Sequence, residues 1–191
     1  GLVILGGIRS ISKASSVIVP IMAILYVTGG LIIILNNLHL VVPAFELIFR
    51  DAFTGEAVAG GAIGAVIRYG VARGVFSNEA GMGSAPIAAA AAKTDHPARQ
   101  GLVSMTGTFI DTIIVCSITG IVLVMGFIMA GNSFGGATGA VLTTQVFDQL
   151  LPGFGGWVVT FGIIFFAYST ILGWSYYGEK CCTYLFGEKY L

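Results

Sequence analysis

The stretch RGVFSNEAGMGSAP, residues 73–86, is where an otherwise apolar sequence stops reading as a continuous helix. It places glycines at 74, 81 and 83, polar Ser77, Asn78 and Ser84, charged Arg73 and Glu79, and Pro86 within fourteen positions. Each glycine weakens a helix by about 1 kcal/mol relative to alanine, and proline removes a donor and clashes with the preceding turn. One such residue is enough for a kink at a packing interface. This many together predict that the helix unwinds. At bilayer depth, bare peptide groups are tolerated only where protein buries them or a watery cavity receives them. Unwound carbonyls suit a cation there, and the start of a half-helix suits a carboxylate.

The surrounding sequence supplies the membrane. Apolar residues make up 56% of the chain and charged residues 9%, against roughly 25% charged in a soluble domain. Most of the surface must therefore face lipid or other protein. Nine basic and nine acidic residues cancel, so no net field points to nucleic acid or another polyanion. The 28 glycines sit largely inside apolar runs, and Gly60, Gly61 and Gly64 are spaced for close helix approach. Three cysteines, Cys116, Cys181 and Cys182, suggest neither a disulfide framework nor a metal site. The chain opens on GLVILGG without an initiator Met, and it reads as an excerpt of a longer protein.

A helix needs about 20 apolar residues to cross the hydrocarbon. The predicted spans are 17–36, 57–92 with a break near 74–84, 102–130 interrupted only by Asp111, and 155–177. As one straight helix the second would extend about 54 Å, so it must tilt, project or break. The fold class is all-α polytopic membrane protein. Arg9 and Lys13, Lys93 and Arg99, and Lys180 and Lys189 fall on one side if four crossings alternate. The positive-inside rule makes that side cytoplasmic, with both ends of the chain facing it. Of the two opposite connections, Val42–Phe53 is amphipathic and holds Glu46 and Arg50 four apart, and Val141–Leu151 reads as a short helix closed by Pro152-Gly153.

Arg68, Arg73, Glu79 and Asp111 are ionisable residues at apparent membrane depth. A lone charge at mid-helix costs on the order of 2.5–3.5 kcal/mol on insertion scales. An intramembrane pair is therefore expected for Asp111, with Arg73 or Arg68 as partner. The other reading is that Asp111 or Glu79 carries a coupling proton. In the last span, Ser169, Thr170 and the carbonyl of Phe166 could offer three oxygens to a hard cation, although hydroxyls in membrane helices mostly bond their own backbone. Trp174 lies one turn on from Thr170 and could wall a pocket or anchor the interface.

Taken together, GVARGVFSNEAGMGSAPIAAAAA at 70–92, HPARQG at 96–101, GTFIDT at 107–112 and FAYSTILGWSYYGE at 166–179 resemble the sodium:alanine (alanine/glycine:cation) symporter family. The resemblance runs from Gly6 to about Gly187. It implies a five-plus-five inverted-repeat amino-acid transporter in which the first helix of each repeat is broken. The chain would then hold the end of the fourth helix and the fifth to eighth helices. Phe76, Ser77, Asn78 and Trp174 would form the substrate site, and Phe166, Ser169 and Thr170 would bind sodium. The implied partners are a small neutral amino acid (alanine or glycine), Na⁺ as coupling ion and the lipid bilayer. The implied location is the plasma (inner) membrane, and no other cofactor is expected. The family's first broken helix has no counterpart in this sequence, so the chain alone is expected to be inactive without those missing first helices. A membrane enzyme would need a nucleophile, base or metal set, and His39 and His96 sit in connections on opposite sides with no HExxH or GxSxG pattern. A proton-coupled carrier, a passive channel and a structural subunit are the remaining alternatives.

Overall fold

The computed structural model of the protein describes residues 2–53, 72, 74–79, 81–131 and 134–187. The predicted span 57–92 therefore lies partly outside the described residues, as do Arg68 and Arg73.

Apolar segments that cannot reach water must satisfy their peptide groups internally, and the helix does this along one segment. After a single turn at Leu2–Leu5 (α1), α2 runs from Gly7 to Asn36 with Pro20 inside it. At Asn37 the chain bends. Its N–H bonds back to the Ile33 and Ile34 carbonyls and its side-chain amide donates to the Ile33 oxygen at 2.9 Å, after which α3 covers Leu38–Phe53. The six-residue α4 is Ser84–Ala89. A long helix, α5, spans Pro97–Ala130, entered through Pro97 and capped by the His96 ring, whose Nδ1 accepts the Ala98 N–H at 3.2 Å. Its middle, Phe109–Cys116, is wound as a π-helix. The last two are α6, Gly139–Leu150, and α7, Gly155–Phe186.

Three of these, α2, α5 and α7, are long and apolar enough to cross a membrane, and no strand occurs among the described residues. The protein is an all-α polytopic membrane protein. The helices outrun the spans read from hydropathy, beginning at Gly7 rather than 17, at Pro97 rather than 102, and ending at Phe186 rather than 177. Arg9, Lys13, Arg99, Glu179 and Lys180 mark where apolar character ends, but none of them breaks a helix. The amphipathic 42–53 stretch continues α3, and the short helix read at 141–151 is α6.

Two apolar clusters hold the helices together. The larger joins Tyr26 and Ile33 of α2, Ile118, Val122 and Met125 of α5, Val146 and Phe147 of α6, and Val158 and Val159 of α7. A smaller one at the other end joins Ile11, Leu172 and Tyr176, with Ile87 of α4 packed against it. Between lipid-soluble helices there is little hydrophobic gain, so close packing and polar bonds carry association. Gly29 and Gly30 provide the close approach, Gly29 against Val158 and Gly30 against Ile118; a Cβ on Gly29 would lie 2.6 Å from Val158 Cγ1. The Tyr26 and Thr119 hydroxyls bond at 2.7 Å. Because Thr119 gives its proton to the Val115 carbonyl, Tyr26 is the donor.

Overpacking of this kind costs about 1–3 kcal/mol. Gly29→Val is expected to lower the melting temperature of the detergent-solubilised protein, and Val158→Ala in the same molecule to restore much of it. Additive losses in that double-mutant cycle would show that the seam does not depend on this contact.

Candidate functional site

Residues 74–78 are helical, Glu79 and Gly81–Gly83 are off the helical path, and the helix resumes at Ser84; Ala80 lies outside the described residues. Glu79 (φ 52°), Gly81 (φ 75°) and Gly83 (φ 81°) all adopt left-handed backbone. Glycine does this freely, whereas for glutamate the conformation is strained and needs support from its surroundings. The N–H groups of Glu79 and Met82 reach only three residues back, to the Phe76 and Glu79 carbonyls at 3.3 and 3.4 Å.

Side chains at the break fasten it to its neighbours. Asn78 donates to the Gly74 carbonyl at 3.1 Å and accepts the Thr112 hydroxyl at 2.8 Å. Ser77 donates to Asp111 Oδ2 at 2.5 Å. Glu79 Oε2 accepts two hydroxyls, from Ser84 at 2.7 Å and from Tyr177 at 3.3 Å. Ser84 is the buried member, 8% exposed. The carboxylate at the start of α4 is thus the chain's own, in the place where the sequence suggested that a ligand's would sit.

Both partners on the neighbouring helix, the acceptor Asp111 and the donor Thr112, lie in the π-wound part of α5. A π-helix bonds each N–H five residues back and so rotates side chains off the α register. Such insertions recur at functional sites. Thr112's carbonyl also accepts the Ser117 hydroxyl at 3.3 Å, five residues on.

A cavity of about 840 Å³ opens beside the break. Phe76, Ser77, Asn78 and Glu79 line it from one side, Ser169, Thr170, Gly173, Trp174 and Tyr177 from α7, Thr112 and Cys116 from α5, and Ser15 and Val19 from α2. Six residues singled out in the sequence, Phe76, Ser77, Asn78, Ser169, Thr170 and Trp174, thus share one space. Phe76 is 63% and Trp174 41% exposed, so both aromatic faces are free to meet a solute. Trp174 also stands edge-on to Tyr177, centroids 5.7 Å apart.

Phe166 is not in that lining. Its ring packs edge-on against Tyr26 at 6.1 Å. Its carbonyl accepts both hydroxyls, Ser169 at 3.0 Å and Thr170 at 2.8 Å. With their protons turned to that carbonyl, the two hydroxyl oxygens present lone pairs to the cavity. Asp111 has Ser77 as a partner; the expected Arg73–Asp111 pair lies outside the described residues, and so does Arg68. Among the described residues, no cluster of three His, Cys, Asp or Glu could hold a metal.

The sequence profile described as the sodium:alanine symporter family matches residues 1–191. The chain belongs to that family. It is 60% identical to a sodium/alanine symporter of Methanococcus maripaludis, over 98% of this chain and 41% of that protein. It is 39% identical to a putative sodium/proton-dependent alanine carrier of Bacillus subtilis (97% and 40%) and 36% identical to a probable sodium/glutamine symporter of the same organism (100% and 39%). The chain spans about two-fifths of the length of these relatives. The family is one of carriers, which removes the membrane-enzyme reading.

Within this family member, the sequence reading missed Thr112, Tyr177 and Ser15 as site residues. Thr112 became visible only through the π register. Tyr177 stands at i+3 from Trp174 and i+7 from Thr170, a helical spacing that marks it in retrospect.

A Cβ at Gly83 meets no neighbour, so the cost of Gly83→Ala is backbone strain alone, about 1–2 kcal/mol for left-handed conformation. The variant is expected to lower thermal stability of the full-length protein. Gly120→Ala, in the helical part of α5 and equally free of neighbours, is expected to be neutral or stabilising. Equal behaviour of the two in a thermal melt would contradict the break.

Proposed function

We propose that this chain is the central part of a secondary active symporter that couples inward sodium flow to uptake of a small neutral amino acid, alanine or glycine. The observation that carries this reading is the shared cavity. The start of the non-helical stretch at Glu79, two free aromatic faces (Phe76, Trp174) and two hydroxyls on α7 (Ser169, Thr170) converge on it. The relatives named for sodium and alanine support the ion and the substrate class.

In this mechanism Na⁺ binds against Ser169 and Thr170, with the Phe166 carbonyl as the third oxygen once a hydroxyl rotates off it. Oxygen donors suit a hard cation. The amino acid docks at Phe76–Asn78, its short side chain between Phe76 and Trp174. Room for a methyl or a hydrogen between these rings sets the size limit. The cavity is far larger than alanine, and a first broken helix from the rest of the polypeptide fills its open side and completes both sites. On this reading the chain alone does not transport, the fold is a five-plus-five inverted repeat holding its fifth to eighth helices, and Arg73 pairs with Asp111. The chain lies in the plasma (inner) membrane with both its ends at the cytoplasmic face, as the basic clusters require.

Rocking of one bundle against another then delivers both solutes inward. Sodium and substrate must each raise the other's affinity, by the same factor.

One alternative rests on a specific observation. Glu79 borders the cavity with its carboxylate bonded to two hydroxyls, a placement from which a proton could move in place of Na⁺.

The test is uptake of labelled alanine by the full-length protein in proteoliposomes. Concentrative uptake is expected with an inward sodium gradient, and Ser169→Ala with Thr170→Ala is expected to abolish its sodium dependence. Uptake driven equally by a proton gradient without sodium favours the Glu79 reading. Downhill equilibration alone would mean a channel.

A further inference from the structure

Resting on that symport reading, we infer that a second cavity beside the break is the cytoplasmic release compartment for the amino acid, closed from the first by a Glu79–Tyr177 latch. This cavity, about 390 Å³, lies between α4 and the first half of α5. Its lining divides by chemistry. Ala85, Ala88 and Ala89 of α4 form a wall of methyls, and Gln100, Ser104, Thr108 and Asp111 of α5 form a wall of amide, hydroxyl and carboxylate.

The α5 residues follow one another at intervals of four, four and three, which puts them on one helix face. Polar groups at that spacing in a membrane helix do not face lipid; they face protein or a watery path. The ladder starts at Gln100, one residue beyond Arg99 and seven beyond Lys93, the basic cluster assigned to the cytoplasmic side, and climbs to Asp111 beside the break. A short-chain zwitterion fits such a cleft. Its charged groups exchange water for the α5 ladder while its methyl or hydrogen meets the alanine wall.

Four residues line both cavities: Ser77, Asn78, Glu79 and Tyr177. They are therefore the partition. Three hydrogen bonds close it, Ser77 to Asp111, Thr112 to Asn78, and Tyr177 to Glu79. The first two tie the break to α5. The third is the longest of these at 3.3 Å and, among the described residues, alone ties the break to α7, the helix that carries the proposed ion and aromatic residues. It is the bond whose release opens one space to the other. Glu79 holds it from a strained left-handed backbone, with the Ser84 hydroxyl bonded to the same oxygen at 2.7 Å.

The experiment uses the full-length protein in oriented proteoliposomes, with Ser104→Cys introduced after Cys116, Cys181 and Cys182 are replaced by serine. A membrane-impermeant methanethiosulfonate is added to either side, and alanine uptake is measured in parallel on the parent. Modification of Ser104→Cys from the cytoplasmic side is expected. Adding Tyr177→Phe, which removes one hydroxyl and keeps the ring, is expected to make a Phe76→Cys probe reactive from that side about fivefold faster, the effect of losing one hydrogen bond. Reaction of Ser104→Cys from the outside only, its inertness on both sides, or an unchanged Phe76→Cys rate in Tyr177→Phe overturns the inference. Loss of sodium-driven uptake in the parent overturns the symport reading separately, because the labelling rates need no transport.

Discussion

At Glu79 and again over Gly81–Gly83 the main chain does not bond as a helix would, beside helices long enough to span hydrocarbon. A peptide group left without a partner in such a medium costs several kcal/mol. Side chains, not main chain, fasten this stretch to its neighbours. Side chains just before the break, Ser77, Asn78 and Glu79, turn outward to α5, α4 and α7. Two glycines take the left-handed corners that other residues resist, and α5 abandons the α register for eight residues where Asp111 and Thr112 meet the break.

Packing divides the labour. Tightly joined apolar clusters lie on either side of the site, one around Val122, Met125 and Phe147, the other around Ile11, Leu172 and Tyr176. The region between is held instead by hydroxyl, amide and carboxylate bonds, each worth only about 0.5–3 kcal/mol net. Rigid ends and a lightly bonded middle are what a moving element requires, since packed cores switch as blocks and do not deform gradually.

Much of this was legible in the sequence and some was not. The all-α membrane fold follows from apolar runs of about 20 residues with few charges, the length at which a helix crosses lipid with its own peptide groups paired. Phe76, Ser77, Asn78, Ser169, Thr170 and Trp174 were read as site residues and line one cavity. The π winding of 109–116 was not legible: FIDTIIVC has neither Gly nor Pro, and the bonds of Asp111 and Thr112 reach a segment 34 residues away. That hid Thr112 and the Ser77 partner of Asp111. Glu79 reads in the sequence as an ionisable residue at membrane depth, but its left-handed backbone and its bond to Tyr177, 98 residues on, are tertiary facts.

α7 then carries a consequence for coupling. Ser169, Thr170, Trp174 and Tyr177 all face the cavity from this one helix, within eight residues and thus about 12 Å of axis. On the site assignment proposed above, a cation on these hydroxyls would fix the same rigid rod that presents Trp174 to the cavity and Tyr177 to Glu79. Substrate at 76–78 would fix the other end of that bond. The two solutes need no contact with each other to favour the same arrangement; each need only bind it better than its alternative. The size of coupling is bounded by how differently they bind the two arrangements, and the Tyr177–Glu79 bond joins the two halves of the site directly.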